Sequence, residues 1–303
     1  MNTQAQPPLH QSFLSIARYR YALYAAVLGL ACALAYASES WRRRPRGDTA
    51  LGYTLGTIAA VLVLFLMSYG IRRRSFRTRA GSTKRWLSMH VYMGLCAVLV
   101  ATLHGGLQLG YSVHTLTYVL LCLVVLSGCW GVYAYLRYPT LMLRERGAVS
   151  REALLAQIAE SDQQALAIVA TSYPEARELV VDAVRRTRVG GSIWEQLRGR
   201  DTSMLMLLPV RDAGYARLVS NRGQQALIAQ LARLQAVSQD SDAQNILHQL
   251  LKICGDKAVL VGRVQRDIQL QGLLQIWLHV HLPLSFALLA ALGVHILAVF
   301  YYR

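Results

Sequence analysis

Apolar residues run almost unbroken through five stretches of the chain, at 20–38, 51–70, 87–109, 116–137 and 274–301. Each is long enough, at about 1.5 Å of helical rise per residue, to cross most or all of the roughly 30 Å hydrocarbon core of a bilayer. The pattern predicts an all-α, five-span transmembrane bundle. Between the fourth and fifth stretches the pattern changes. SREALLAQIAESDQQALAIVA and RGQQALIAQLARLQAVSQ place apolar residues at three- and four-residue intervals, which predicts amphipathic helices. The short apolar run SMLMLLPV at 203–210 contains Pro209 and reads as a buried strand or a loop. Three parts are therefore expected: spans one to four in 1–137, a polar, mostly helical cytoplasmic insertion in 138–272, and the fifth span in 273–303.

Composition agrees with a membrane protein. Only 16% of the residues are charged, against about 25% in soluble proteins. The net charge of +16 raises the question of nucleic acid, and its placement answers it. Residues 138–272 hold 17 Lys and Arg against 14 Asp and Glu, whereas the remainder holds 15 against 2. The excess thus sits beside the spans, as in WRRRPR at 41–46 and RRRSFRTR at 72–79, where arginine orients helices and meets anionic lipid. No nucleic-acid partner is expected. Seven cations in the 71–86 loop, against four in 39–50, put the N-terminus and the insertion in the cytoplasm and the C-terminus outward. Arg18, Arg20 and Ala35-Tyr36-Ala37 resemble parts of a signal peptide, but the segment is read as a retained first span. The five cysteines form no C-x-x-C, so neither a thiol zinc site nor covalent haem attachment is expected.

The chemistry lies in the histidines. His90 and His104 are fourteen residues apart in the third span, and His281 and His295 are fourteen apart in the fifth. Fourteen helical residues fall about 40° short of four turns and rise about 21 Å, so each helix shows two imidazoles on nearly one face. Ionisable groups at that depth are costly and mark function. Both spans run inside to outside in the expected topology, so His90 can face His281 and His104 can face His295. Each pair can supply both axial ligands of a haem b. His279 competes with His281, but it lies about 160° from His295 around the helix, whereas His281 lies about 40° away. Of the other histidines, His10 and His248 lie outside the spans, and His114 is expected at the outer end of the turn between spans three and four. Gly94, Gly105, Gly106 and the glycines near Ser127 leave room for a porphyrin edge. Arg85 and Arg266 are candidate propionate partners at the inner level, and Arg42, Arg43, Arg44 and Arg46 at the outer. The plain alternative, histidines serving as polar contacts between helices, explains one such residue more easily than four in register.

Two histidines fourteen apart on each of two helices resembles the di-haem cytochrome b of respiratory quinol–cytochrome c oxidoreductases. The pattern is also similar to the b-type membrane anchors of nitrate reductases and hydrogenases. The likeness covers the third and fifth spans, the fourth loosely, and neither the first two spans nor 138–272. WLHVHLPLS, entering the last span, looks like a feature of bacterial multi-haem complexes. The resemblance implies two haem b groups, a bound quinone, and single-electron transfer across a bacterial inner membrane between the quinone pool and a c-type cytochrome or iron–sulfur partner. A transmembrane ferric-reductase-like haem protein is the alternative, although no nucleotide-binding fingerprint occurs. A non-redox transporter or scaffold fits less well, because no acidic or basic residue sits in mid-span.

Overall fold

A computed structural model describes residues 19–40, 49–74, 83–106, 108–147, 149–171, 173, 176–207 and 216–301. Side chains are not described at 71–74. The long helices are α1 (Arg20–Ser40), α2 (Ala50–Arg74), α3 (Thr83–Gly105), α4 (Val113–Arg146) and α5 (Arg151–Thr171). The shorter helices α6 (Arg177–Arg186) and α7 (Ile193–Arg198) lead to strands β1 (Met204–Leu207) and β2 (Arg217–Ser220). The helices α8 (Gln225–Val237) and α9 (Ser241–Tyr301) complete the chain. Five helices are long and apolar enough to cross a membrane, as expected of a multi-pass membrane protein. The last span is not a separate helix. It is the end of the 61-residue α9, because residues 241–272 contain no proline and their helical periodicity runs on into the apolar stretch. Similarly, α4 continues past 137 to Arg146 with Pro139 inside it.

The chain divides into two compact units, Met1–Ala134 with Trp277–Arg303, and Tyr135–Ile276. In the first, small residues bring backbones close. Ala25 and Cys32 of α1 cluster with Leu55, Ala59 and Leu62 of α2 and with Cys96, Ala97 and Val100 of α3, and Gly29 is buried between them in the sequence of α1. A Cβ at Gly29 would stand 3.0 Å from Leu99 Cδ2, so the small residue sets the α1–α3 approach. Val63, Leu121, Leu288 and Leu292 tie α2, α4 and α9 together. Trp277 docks α9 on α4 by donating from Nε1 to Ser127 O over 2.7 Å, and it lies where only glycine fits, at Gly131. Leu30, Leu34, Leu126 and Leu297 are exposed on the outside of these helices, an arrangement suited to lipid rather than water.

The second unit has an ordinary soluble-type core. Val169, Val180, Leu205, Leu231, Leu247 and Leu250 are fully buried together. Leu205 decides the ambiguous run at 203–210: residues 204–207 form a strand paired antiparallel with 217–220, and residues 208–210 lie outside the described residues. Charges here are buried in pairs. The fully buried Asp267 accepts from Arg146 and Arg151, and Arg151 also reaches Gln271. Lys257 sits 2.6 Å from Asp162 and donates to Thr187 Oγ1 at 3.0 Å. Pairing of this kind offsets the cost of taking a charge out of water.

Candidate metal centre

Three helices bring imidazoles to one place. α3 delivers His104 in its last turn. Gly106 then adopts φ 55°, a left-handed conformation that ends the helix. Ser112 Oγ accepts from Thr115 N at 3.3 Å and so caps α4, which places His114 at the start of that helix. Tyr118 and Thr102 bind one turn deeper, over 2.9 Å. Thr102 already donates to Val98 O at 2.8 Å, so it is Tyr118 that donates across the pair. α9 brings His295. The ring centroids of His104 and His114 are 5.4 Å apart, those of His114 and His295 5.2 Å, and those of His104 and His295 6.3 Å. One nitrogen from each ring lies within 4.8 Å of the others, and all three residues are half-buried.

The environment of His104 sets its chemistry. Its Nδ1 is 2.8 Å from Gly52 O on α2. A carbonyl can only accept, so Nδ1 carries the proton and Nε2 keeps its lone pair. Gly56, one turn along α2, makes this possible: a Cβ there would stand 2.8 Å from His104 Cε1. Gly105 does the same for His114, where a Cβ would come within 2.8 Å of Nε2.

His281 is arranged in the same way at a second level. Ser127 Oγ donates to Val124 O at 2.8 Å, and His281 Nδ1 lies 2.7 Å from that oxygen. When the serine proton goes to Val124 O, the serine oxygen accepts from Nδ1–H, and in that tautomer Nε2 is free to bind a ligand. Gly128 leaves open space beside the ring, since its Cβ would come only to 3.6 Å. Trp277 packs on His281 with centroids 5.4 Å apart. His90 packs on Tyr69 at 5.1 Å, and its Nδ1 is buried with no hydrogen-bond partner. Such an orphan costs about 1–3 kcal/mol unless something binds it.

The remaining predicted residues divide. His279 is exposed where His281 is half-buried. Pro283 does not break α9, and Ser285 Oγ donates to His281 O at 2.7 Å. Gly94 has open space around its missing Cβ. Arg85 is exposed. Arg266 belongs to the second unit and donates to Gln269 Oε1 at 2.6 Å. Arg42, Arg43, Arg44 and Arg46 lie outside the described residues. The residue that the spacing argument passed over is His114. It lies in no H-x13-H pair, yet its signal was present: a short turn makes the end of α3 and the start of α4 neighbours in space.

The cluster fits a metal. A metal–imidazole bond of about 2 Å puts two trans nitrogens about 4 Å apart, and the three donor nitrogens lie within 4.8 Å. The orphaned His90 nitrogen and the two oriented Nε2 atoms fit ligation equally well. Comparison with protein-family models, with curated proteins and with solved structures returns no match, so the reading of the site rests on its own geometry.

Proposed function

We propose that the chain is a di-haem b-type cytochrome subunit carrying electrons across a membrane between the quinone pool and a partner redox protein. One observation carries this reading. His104 and His281 lie at two levels of an apolar helical unit, and each has Nδ1 committed to an oxygen of a neighbouring helix, leaving Nε2 to bind iron. His90 with His281 would hold one haem, and His104 with His295 the other. A haem held there would supply one-electron chemistry at its iron. The protein supplies ligand orientation through Gly52 O and Ser127 Oγ, and an apolar shell that keeps water from the metal. A c-type cytochrome or iron–sulfur protein is the partner this role requires, a bacterial inner membrane is its setting, and the loop arginines favour a cytoplasmic N-terminus. The test is the reduced absorption spectrum of the purified protein with a pyridine haemochrome count. Two haem b per chain is the expected result, and a colourless preparation would overturn the proposal.

A second reading is favoured by His114. Three imidazole nitrogens within 4.8 Å of one another can also bind one transition-metal ion directly, which would confine haem to the His90 and His281 level. One haem per chain, together with one equivalent of metal lost in His114→Ala, selects this reading.

A further inference from the structure

The second unit contains a cavity that the histidine chemistry does not use. α6 ends in Arg185 and Arg186, and Arg188 follows two residues later. With Thr202, Met204 and Leu218 these arginines line a space of about 460 Å³, within the usual range for small-molecule sites of roughly 300–1,000 Å³. Positive charge in this space is only partly balanced. Arg186 pairs with Asp182 at 2.6 Å, while the other oxygen of that carboxylate accepts from Met206 N at 2.7 Å. Glu195 feels the charge of Arg188, but among the described residues no carboxylate comes within ion-pair distance of Arg185 or Arg188. A second observation concerns Thr202. Its Oγ1 is buried and has no hydrogen-bond partner. A buried hydroxyl left unpaired is costly, and a turn about χ1 of this lining residue would bring it round to donate to an anion held by the arginines.

We propose that this cavity binds a phosphate-bearing ligand. The guanidinium groups of Arg185 and Arg188 and the Thr202 hydroxyl take the phosphate oxygens, and Met204 and Leu218 meet the organic part. Guanidinium matches phosphate because its planar donors bind two oxygens at once. Three cations within one turn of a helix C-terminus also complement the helix dipole. That plainer role asks nothing of Thr202 and predicts no ligand.

The phosphate can belong to a soluble metabolite or to a lipid headgroup, and calorimetry on the full-length protein in detergent separates them. One arm titrates AMP, and the other titrates dihexanoyl phosphatidic acid. The expected result is one site per chain for at least one probe. Affinity should fall about tenfold in Arg185→Gln and in Arg188→Gln, and severalfold in Thr202→Val. Arg185 and Arg188 are exposed, so both variants should keep the wild-type circular dichroism. Binding of AMP alone identifies a soluble ligand, and binding of the lipid alone identifies a headgroup. Failure of both probes to bind below about 1 mM overturns the proposal. So does binding that neither arginine variant weakens. The haem count does not enter this test, so it succeeds or fails independently of the cytochrome reading.

Discussion

The two histidine levels share a spacing but not an environment. Around His104, three imidazoles from three helices converge, and a main-chain carbonyl orients one of them. Around His281, a serine hydroxyl does the orienting, and the second histidine of the level packs on a tyrosine with one nitrogen unpartnered. The repeat in the sequence is symmetric because helical periodicity is symmetric. The chemistry differs because the neighbours come from elsewhere in the chain. An imidazole's role is set as much by what holds its second nitrogen as by its place on a helix.

The sharpest break of this comparison is His104→Ala. Among the described residues it removes the only ring at that level whose orientation is fixed by a main-chain oxygen, and the haem count should fall from two to one. Loss of both haems would show that the levels are not independent. Gly56→Ala should come next, because its Cβ would stand 2.8 Å from His104 Cε1 and push the ring off Gly52 O. The same spectral loss is expected in partial form, while Gly94→Ala, with open space around it, should leave the spectrum unchanged. Asp267→Ala tests the polar unit as a control. It leaves Arg146 and Arg151 facing each other without their buried counter-charge and should cost about 3 kcal/mol in denaturant unfolding of that unit. Its haem count should not change.

Ser127→Ala probes the other level more gently. His281 loses the acceptor that holds its tautomer, and ligand affinity there should fall by about tenfold, with the His104 level unaffected. Glu195 gives the smallest effect. Hydrogen bonds from Ser192, the backbone one first, hold its carboxyl below the usual carboxylate range. Its contribution to α7 is therefore present above the unfolded-state carboxylate pKa and is lost as pH falls through the depressed folded value. Amide exchange at α7 should quicken on acidification through that window, and Glu195→Gln should remove most of this dependence.

The spans were legible in the sequence because an unbroken apolar run of twenty residues has few other fates. The continuity of α9 was not, because a change from polar to apolar composition looks like a boundary even where the helical hydrogen bonds run straight through it. Leu205 shows a second limit: a four-residue apolar run does not distinguish strand from loop until its partner, here Val219, is known. In the candidate site, helical phase and span depth single out His90, His104, His281 and His295, and of these the structure brings His104 and His295 together. His114 escapes that spacing, because a residue beside a turn has no period to betray it. The acceptors Gly52 O and Ser127 Oγ were equally silent, since they are contacts between helices distant in the chain.

Gly56 bears on how the gene can drift. Every single-base change that alters the meaning of a glycine codon, short of a stop, adds a Cβ, and at this position any Cβ meets the His104 imidazole. A saturation library scored for haem content should therefore show Gly56, which contributes no functional group at all, as a position where every substitution lowers the score.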